Sequence, residues 1–426
     1  MPNLAYPGPH NIHRHVLPNG ITILAYENFA SQSVVIDGVL SAGSIIEPRS
    51  QAGLANFATS LLMRGTQARG FAAIYEALEA VGAGLEFSNG RHTLEFAAQS
   101  LVEDFDLVLE LMSQSLRTPT FPAEQIELVR GQIMTGLQIR ANDTSRMAAL
   151  AFYDMLYPQH PYGQSISGYF ETIPHLTRQD FVDYHARYFG PRGMIIGVVG
   201  AVKAETAVAK IEAVLGDWQN PAQQEPPAVP SMARPVQQQR QHIAMPDKSQ
   251  VDIILGLPGP LRAAPDYLDA KLMNTILGVF GMMGRIGENV REKLGLAYYA
   301  YSRLQGGIGP LPWYAGAGVA PENVDKAIQA ILQEVERIQQ EPVPAAELAD
   351  SQAYITGSMP VGLETNAGLA NVITDMAYYE LGLDYLQRYP DLIRAITPQH
   401  VQAAAQKYLS TEQIAIAIAG SVDGYQ

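Results

Sequence analysis

Residues 176–202 read LTRQDFVDYHARYFGPRGMIIGVVGAV, and residues 396–422, 220 positions later, read ITPQHVQAAAQKYLSTEQIAIAIAGSV. Thr177, Tyr188, Gly200 and Val202 fall on Thr397, Tyr408, Gly420 and Val422. Both stretches have the pattern of a capped amphipathic helix followed by a strand. Thr177 and Asp180 stand at capping-box spacing, Thr397-Pro398 reads as N-cap and first turn, and 194–199 and 414–419 are apolar runs. Upstream, Asp154-Met155 recurs as Asp375-Met376 and Pro122-Ala123 as Pro344-Ala345, at offsets of 221 and 222. Matches in the same order at nearly one offset predict a duplicated domain, with the drift that small loop insertions produce.

Between the copies lies NPAQQEPPAVPSMARPVQQQRQ at 220–241, whose Pro and Gln content predicts a stiff, extended linker with little to bury. The expected organisation is therefore an N-terminal domain over 1–219, a linker over 220–241 and a C-terminal domain over 242–426. In the first copy, 15–17 and 21–25 flank Pro18-Asn19-Gly20, a hairpin signal because Asn and Gly tolerate positive φ. Residues 33–40 alternate as a strand, and apolar residues at helical spacing follow in 53–63, 71–80, 102–116 and 124–139. The second copy repeats this loosely, with strands around 251–257, 296–301 and 313–319 and helices from residue 322 onward. Strands followed by helices and a closing strand predict an α+β fold, an antiparallel-rich sheet in each half with helices packed on one side.

A chain of 426 residues, 47% hydrophobic and 16% charged, is long enough for two or three cores. Its net charge of −14 repels phosphate backbones and argues against a nucleic-acid partner. There is no apolar run of about 18 residues, and 1–26 lack both a basic n-region and a continuous apolar h-region. The expectation is a cytoplasmic protein without a membrane partner. With no cysteine, disulfides, thiolate nucleophiles and Cys-based zinc sites are excluded together, so metal chemistry would have to use His, Asp and Glu.

Residues 52–66, AGLANFATSLLMRGT, resemble the zinc helix of the pitrilysin and mitochondrial-processing-peptidase family, the inverted-zincin metallopeptidases. Its catalytic members read approximately G-L-A-H-x-x-E-H-x-L-F-x-G-T. Positions i and i+4 share a helix face, so two histidines there hold one zinc while the intervening glutamate activates its water. Here Asn56 and Ser60 occupy the histidine positions and Thr59 that of the glutamate. The family's third ligand is a glutamate on a later helix, and the resemblance puts Gly136 there. An amide and a hydroxyl are poor zinc donors, and threonine is no general base at neutral pH. Asn56, Thr59 and Ser60 then read as a polar helix face with local hydrogen bonds, or as a peptide contact.

The second half keeps what the first has lost. Residues 290–302, VREKLGLAYYAYS, are similar to the family's R-E-K-x-G-L-A-Y segment, and the resemblance matches Arg291 and Tyr298 to the arginine and tyrosine that reach toward the scissile carbonyl. Donors of this kind stabilise negative charge on a carbonyl oxygen under attack, each worth about 2.7–4 kcal/mol. Without the family match, Arg291 would read as part of a solvated face and Tyr298 as one of several alternating strand tyrosines.

In two-chain members one subunit carries zinc and the other does not. The resemblance thus implies half of a clamshell with no cofactor of its own. It implies a non-catalytic subunit, inactive alone, whose partner carries His-x-x-Glu-His and the zinc and whose ligands are unfolded or extended peptides. The alternative is a catalytically inert structural or peptide-holding homodimer of the same fold.

Other signals are weaker. His10, His13 and His15 are clustered without a carboxylate at ligand spacing, and His160, His175 and His185 share no helical register. Gly278, Gly281, Gly284 and Gly287 recur every third residue, a spacing that is neither a dinucleotide fingerprint nor a phosphate loop, and read as close backbone packing before the Arg291 helix.

Overall fold

In the computed structural model, which describes residues 6–421, eleven strands form two sheets. Val422, the last residue of the repeat, lies outside the described residues. The first sheet contains β1 (Ile12–Val16), β2 (Thr22–Glu27), β3 (Ser33–Leu40), β4 (Gly84–Asn89), β5 (Leu94–Leu101) and β6 (Ile195–Gly200), in the order β1-β2-β6-β3-β5-β4. The second contains β7 (Gln239–Ala244), β8 (Val251–Pro258), β9 (Ala297–Leu304), β10 (Pro312–Val319) and β11 (Ala415–Gly420), in the order β7-β11-β8-β10-β9. From β2 and from β7 onward the two orders are the same, and each has one parallel pair at the same place, β2 with β6 and β7 with β11. This is the duplication in physical form: one α+β design built twice, with β1 added to the first copy by the Asn19-Gly20 hairpin, where Gly20 has φ +100°.

The first compact unit comprises residues up to Leu137, Ser165–Ala228 and Pro360–Arg388. Helices Leu54–Leu61, Phe105–Arg117, Arg178–Tyr188 and Ala204–Leu215 cover one sheet face, where Ile23, Val34, Ile36, Ile196 and Val198 enter a continuous core. Strand periodicity sends Val35, Asp37, Gly197 and Val199 to the other face. That face is covered by a single helix, Asn366–Tyr378, which packs on β3 and β6. Thr374 Oγ1 donates to the Asp37 carbonyl at 3.2 Å, and Asn366 Nδ2 donates to Ser33 Oγ at 2.9 Å.

The second unit comprises Gln138–Gln164, Val229–Met359 and residues from Tyr389 onward. Strands β8, β10 and β11 are buried along their whole length, which requires cover on both faces. Helices Tyr267–Gly278, Val324–Gln340 and Pro398–Tyr408 form one layer, and helix Thr144–Leu156 packs on β8 and β11. This helix lies 222 residues before Asn366–Tyr378. Each unit is thus completed by a helix encoded in the other repeat. Division by sequence repeat, 1–219 and 242–426, and division by packing are different partitions of the chain, and they differ at these two segments.

The capping boxes at Thr177 and Thr397 are present, with His400 as the partner of Thr397. Helices Phe71–Ala80 and Phe105–Arg117 do not follow one another directly, because the β4–β5 hairpin stands between them. The last three residues of 220–241 already belong to β7. No helix among the described residues is long and apolar enough to cross a membrane.

At Gly197 β6 lies tight against helix Asn366–Tyr378, since a Cβ there would stand 2.5 Å from Thr374 Oγ1 and 3.1 Å from the Ala370 carbonyl oxygen. Gly197→Ala should destabilise the fold by about 1–3 kcal/mol in denaturant titration. Gly131→Ala, at an open helical position, should stabilise it by about 0.5–1 kcal/mol. Equal effects would contradict the tight seat assigned to this helix.

Candidate functional site

Helix Leu54–Leu61 begins at Gly53, whose φ of +97° and closeness to Gly168 and Ile173 leave no room for a side chain. The first backbone N–H groups of a helix lack intrahelical partners. Here the buried Glu47 carboxyl accepts them, from Gly53 N at 2.8 Å and Ala55 N at 2.5 Å. Burial pushes the Glu47 carboxyl up to about 8, against the opposing effect of those N–H groups. Tyr184, buried and donating to the Ala42 carbonyl at 2.6 Å, stands beside it. Sequence reasoning missed Glu47; its signal was an acidic residue shortly before an apolar helical run.

On the helix itself, Phe57 is buried against Phe181 with ring centroids 4.7 Å apart, and the Arg130 guanidinium lies over the Phe57 ring at 5.3 Å. Arg130 belongs to Ala123–Ala141, the helix that also carries Gly136. Asn56 is half-buried and Ser60 exposed, and Ser60 Oγ donates to the Asn56 carbonyl at 2.9 Å, a bond back to its own helix. Thr59 is only 4% exposed, and its Oγ1 has no hydrogen-bond partner among the described residues. Gly136 is exposed, with nothing within 4 Å of the point where a Cβ would stand. These four positions offer one amide, two hydroxyls and no side chain, so a zinc ion does not fit this set.

Among the described residues, no three His, Asp or Glu side chains converge as a metal site. The histidines have structural roles where they are buried. His160 Nδ1 accepts from Tyr162 N at 3.0 Å, and His185 Nε2 lies 2.8 Å from the Leu116 carbonyl, with burial lowering its pKa.

In the second unit, β9 is the edge strand next to β10. Tyr299 pairs with Gly318, but Ala297 pairs with Val319, so Tyr298 is the extra residue of a β-bulge. A bulge re-aims the residues around it, and Tyr298 is 82% exposed. Its neighbour Tyr299 is anchored. Asp252 on β8, Gly318 on β10 and Tyr299 on β9 form one cross-strand row, and because Gly318 has no side chain the Tyr299 ring lies across it and donates its hydroxyl to the buried Asp252 carboxylate. Burial first, and then Asp252, raise the Tyr299 pKa far above the ordinary phenol range. Asp252 also accepts from Thr144 Oγ1 and, at 3.1 Å, from Gln250 Nε2.

Arg291 lies in the wide helical turn Gly287–Lys293, with its side chain 38% exposed and Nε 3.3 Å from Glu292 Oε1. The glycines before it serve close packing at three of four positions. A Cβ would meet Ser302 at Gly278, the Gly278 and Ile276 backbone at Gly284 and the Met282 carbonyl at Gly287, whereas Gly281 faces open space with φ +62°.

The family profile described as "Insulinase (Peptidase family M16)" matches residues 23–168, and that described as "Peptidase M16 inactive domain" matches 175–354. An uncharacterized zinc protease of Mycobacterium leprae is 26% identical over 354 residues, covering 82% of this chain and 79% of its own. A probable mitochondrial-processing peptidase subunit beta of Arabidopsis thaliana is 21% identical over 446 aligned positions, covering 98% of this chain and 82% of its own. The solved peptidase M16 inactive domain from Pseudomonas fluorescens shares the fold with a TM-score of 0.90 over 98% of this chain and 100% of its own, at 24% identity.

Glu47 makes stability depend on pH. Its folded pKa of about 8 lies above its ordinary 4.5, so the folded state holds the proton more tightly and this group's contribution falls as pH rises between those values. Denaturant titrations from pH 5 to pH 8 should show a decline of a few kcal/mol in the native chain that Glu47→Gln largely removes. Parallel pH profiles for the two chains would contradict a protonated, buried Glu47.

Proposed function

We propose, from the premise that the chain belongs to peptidase family M16, that it is a non-catalytic subunit of a two-chain zinc metalloendopeptidase. It binds extended peptide and supplies Arg291 and Tyr298 to a zinc site on a partner chain of the same family. The observation that carries this reading is an asymmetry between the units. The helix that bears metal ligands in catalytic members keeps its cap and packing here, yet Asn56, Thr59, Ser60 and Gly136 contain no metal donor and no base. Arg291 and Tyr298 meanwhile remain accessible at and beside an edge strand.

The chemistry left to this chain is binding and charge stabilisation. Strands β4 and β9 stand at the ends of their sheets, and an extended peptide can pair with an edge strand irrespective of its side chains. As a peptide carbonyl is attacked, its oxygen gains negative charge, and the Arg291 guanidinium and Tyr298 phenol are donors that can meet that charge. No step through zinc is assigned to residues of this chain.

The inert homodimer is the competing reading. Its support is the contact between Arg291 and Glu292, which suits a solvated ion pair as well as a poised donor. Kinetics separate the two. The purified chain alone should give no chelator-sensitive cleavage of unstructured peptides, and combined with its catalytic partner it should. In that assembly Arg291→Ala or Tyr298→Phe should lower kcat by about 10²–10³-fold with KM little changed. Full turnover by both variants would refute the donor role.

A further inference from the structure

We propose that two ties, Arg285 to Glu347 and Asn289 to Glu334, position Arg291, an inference that rests on the donor role given to Arg291 above. Residues Gly287–Lys293 form a π-helical turn, with Leu294 N donating to the Asn289 carbonyl at 3.0 Å and Leu296 N to the Val290 carbonyl at 3.0 Å. A π turn is rare and does not hold itself as an α turn does, so something outside it must fix it. The Arg291 side chain does not, since among the described residues its ion pair is to the adjacent Glu292, and the pair Lys293–Glu288 at 2.8 Å joins two exposed side chains.

The ties come from the side facing the protein. Arg285, two residues before the turn, is only 7% exposed and grips Glu347 with both prongs of its guanidinium, Nε to Oε1 at 2.8 Å and Nη2 to Oε2 at 2.6 Å. Asn289, inside the turn, donates Nδ2 to Glu334 Oε1 at 3.0 Å. Glu334 is also 7% exposed, and burial raises its pKa against the opposing pull of Arg337 and Arg285. Glu334 and Glu347 stand on two different helices, Val324–Gln340 and Ala345–Gly362, so the turn is held at two points by separate elements. Gly287 seats the turn against the Met282 and Ala300 carbonyls, and Gly295, with φ +61°, ends it.

The physical reason for such ties is precision. A donor aimed at a developing charge has to be held to within about 0.5 Å, and a displacement of about 1 Å costs on the order of 10²-fold in rate. Arg285, Asn289, Glu334 and Glu347 touch no substrate in this account. They are positioning residues.

Two measurements test the proposal. In the isolated chain, amide hydrogen exchange over 287–296 should rise at least about tenfold in Glu347→Gln and in Asn289→Ala, while exchange in β8 stays at its native rate. In the assembly with its catalytic partner, both variants should lower kcat by about 10- to 100-fold with KM within about twofold. Arg285→Lys should not preserve activity, because a single ammonium cannot reproduce the two-pronged contact. Native exchange over 287–296 in both variants would overturn the proposal. If Glu347→Gln does not fold, Asn289→Ala decides, since it removes one hydrogen bond from a half-buried side chain. Exchange shows whether these ties hold the turn, and turnover of Arg291→Ala shows whether the turn carries a donor, so the two claims fail separately.

Discussion

The central strands of each sheet carry apolar side chains on both faces, and neither face can be left to water. The main helical layer of each unit covers one face, and the other is closed by a helix from the opposite repeat, Asn366–Tyr378 in the first unit and Thr144–Leu156 in the second. Burying side chains such as Leu369, Ile373 and Met376 is worth roughly 1.5–3 kcal/mol each, so these helices are part of the stability of their sheets. In the second unit the constraint reaches Tyr298 and Tyr299. Thr144, the first residue of the covering helix, donates to Asp252, which also receives the Tyr299 hydroxyl. Tyr299 is the fixed residue beside the bulge that presents Tyr298 to solvent.

Structural and chemical demands fall on different residues of helix Leu54–Leu61, and they have parted company. Glu47, Gly53, Phe57 and Arg130 keep the helix capped, seated and packed. Asn56 and Ser60 bond locally or face solvent and Gly136 stands in open space, so the frame does not depend on which side chains occupy these three positions. The Arg291 segment is different. Tyr299 is seated by the Gly318 gap and Asp252, and the turn that carries Arg291 is flanked by the Arg285–Glu347 and Asn289–Glu334 contacts.

Much of this was legible in the amino-acid order. The 220-residue repeat, the Asn19-Gly20 hairpin, strand Ser33–Leu40 and helix Phe71–Ala80 follow from local pattern and turn chemistry, and the structure has them where that pattern predicts. The β4–β5 hairpin was not read, although LEFAAQSL alternates buried and exposed positions, because its Ala97-Ala98 step weakens the apolar alternation between two strong helical runs. The exchange of helices could not be read at all. Thr144–Leu156 and Asn366–Tyr378 carry ordinary amphipathic patterns, and no local feature says which sheet a helix will cover. Of the site, the missing metal donors were visible as residue types. The Asp252 anchor joins residues 47 apart, the Glu47 cap residues 8 apart, and the Tyr298 bulge rests on cross-strand register, so all three emerged only in three dimensions.

The proposed role requires that the first unit hold no zinc. Elemental analysis of the purified chain, after incubation with zinc and removal of excess by gel filtration, tests it most directly. The account predicts far less than one zinc per chain. One tightly held zinc per chain, retained through gel filtration and lost only to a strong chelator, would contradict it.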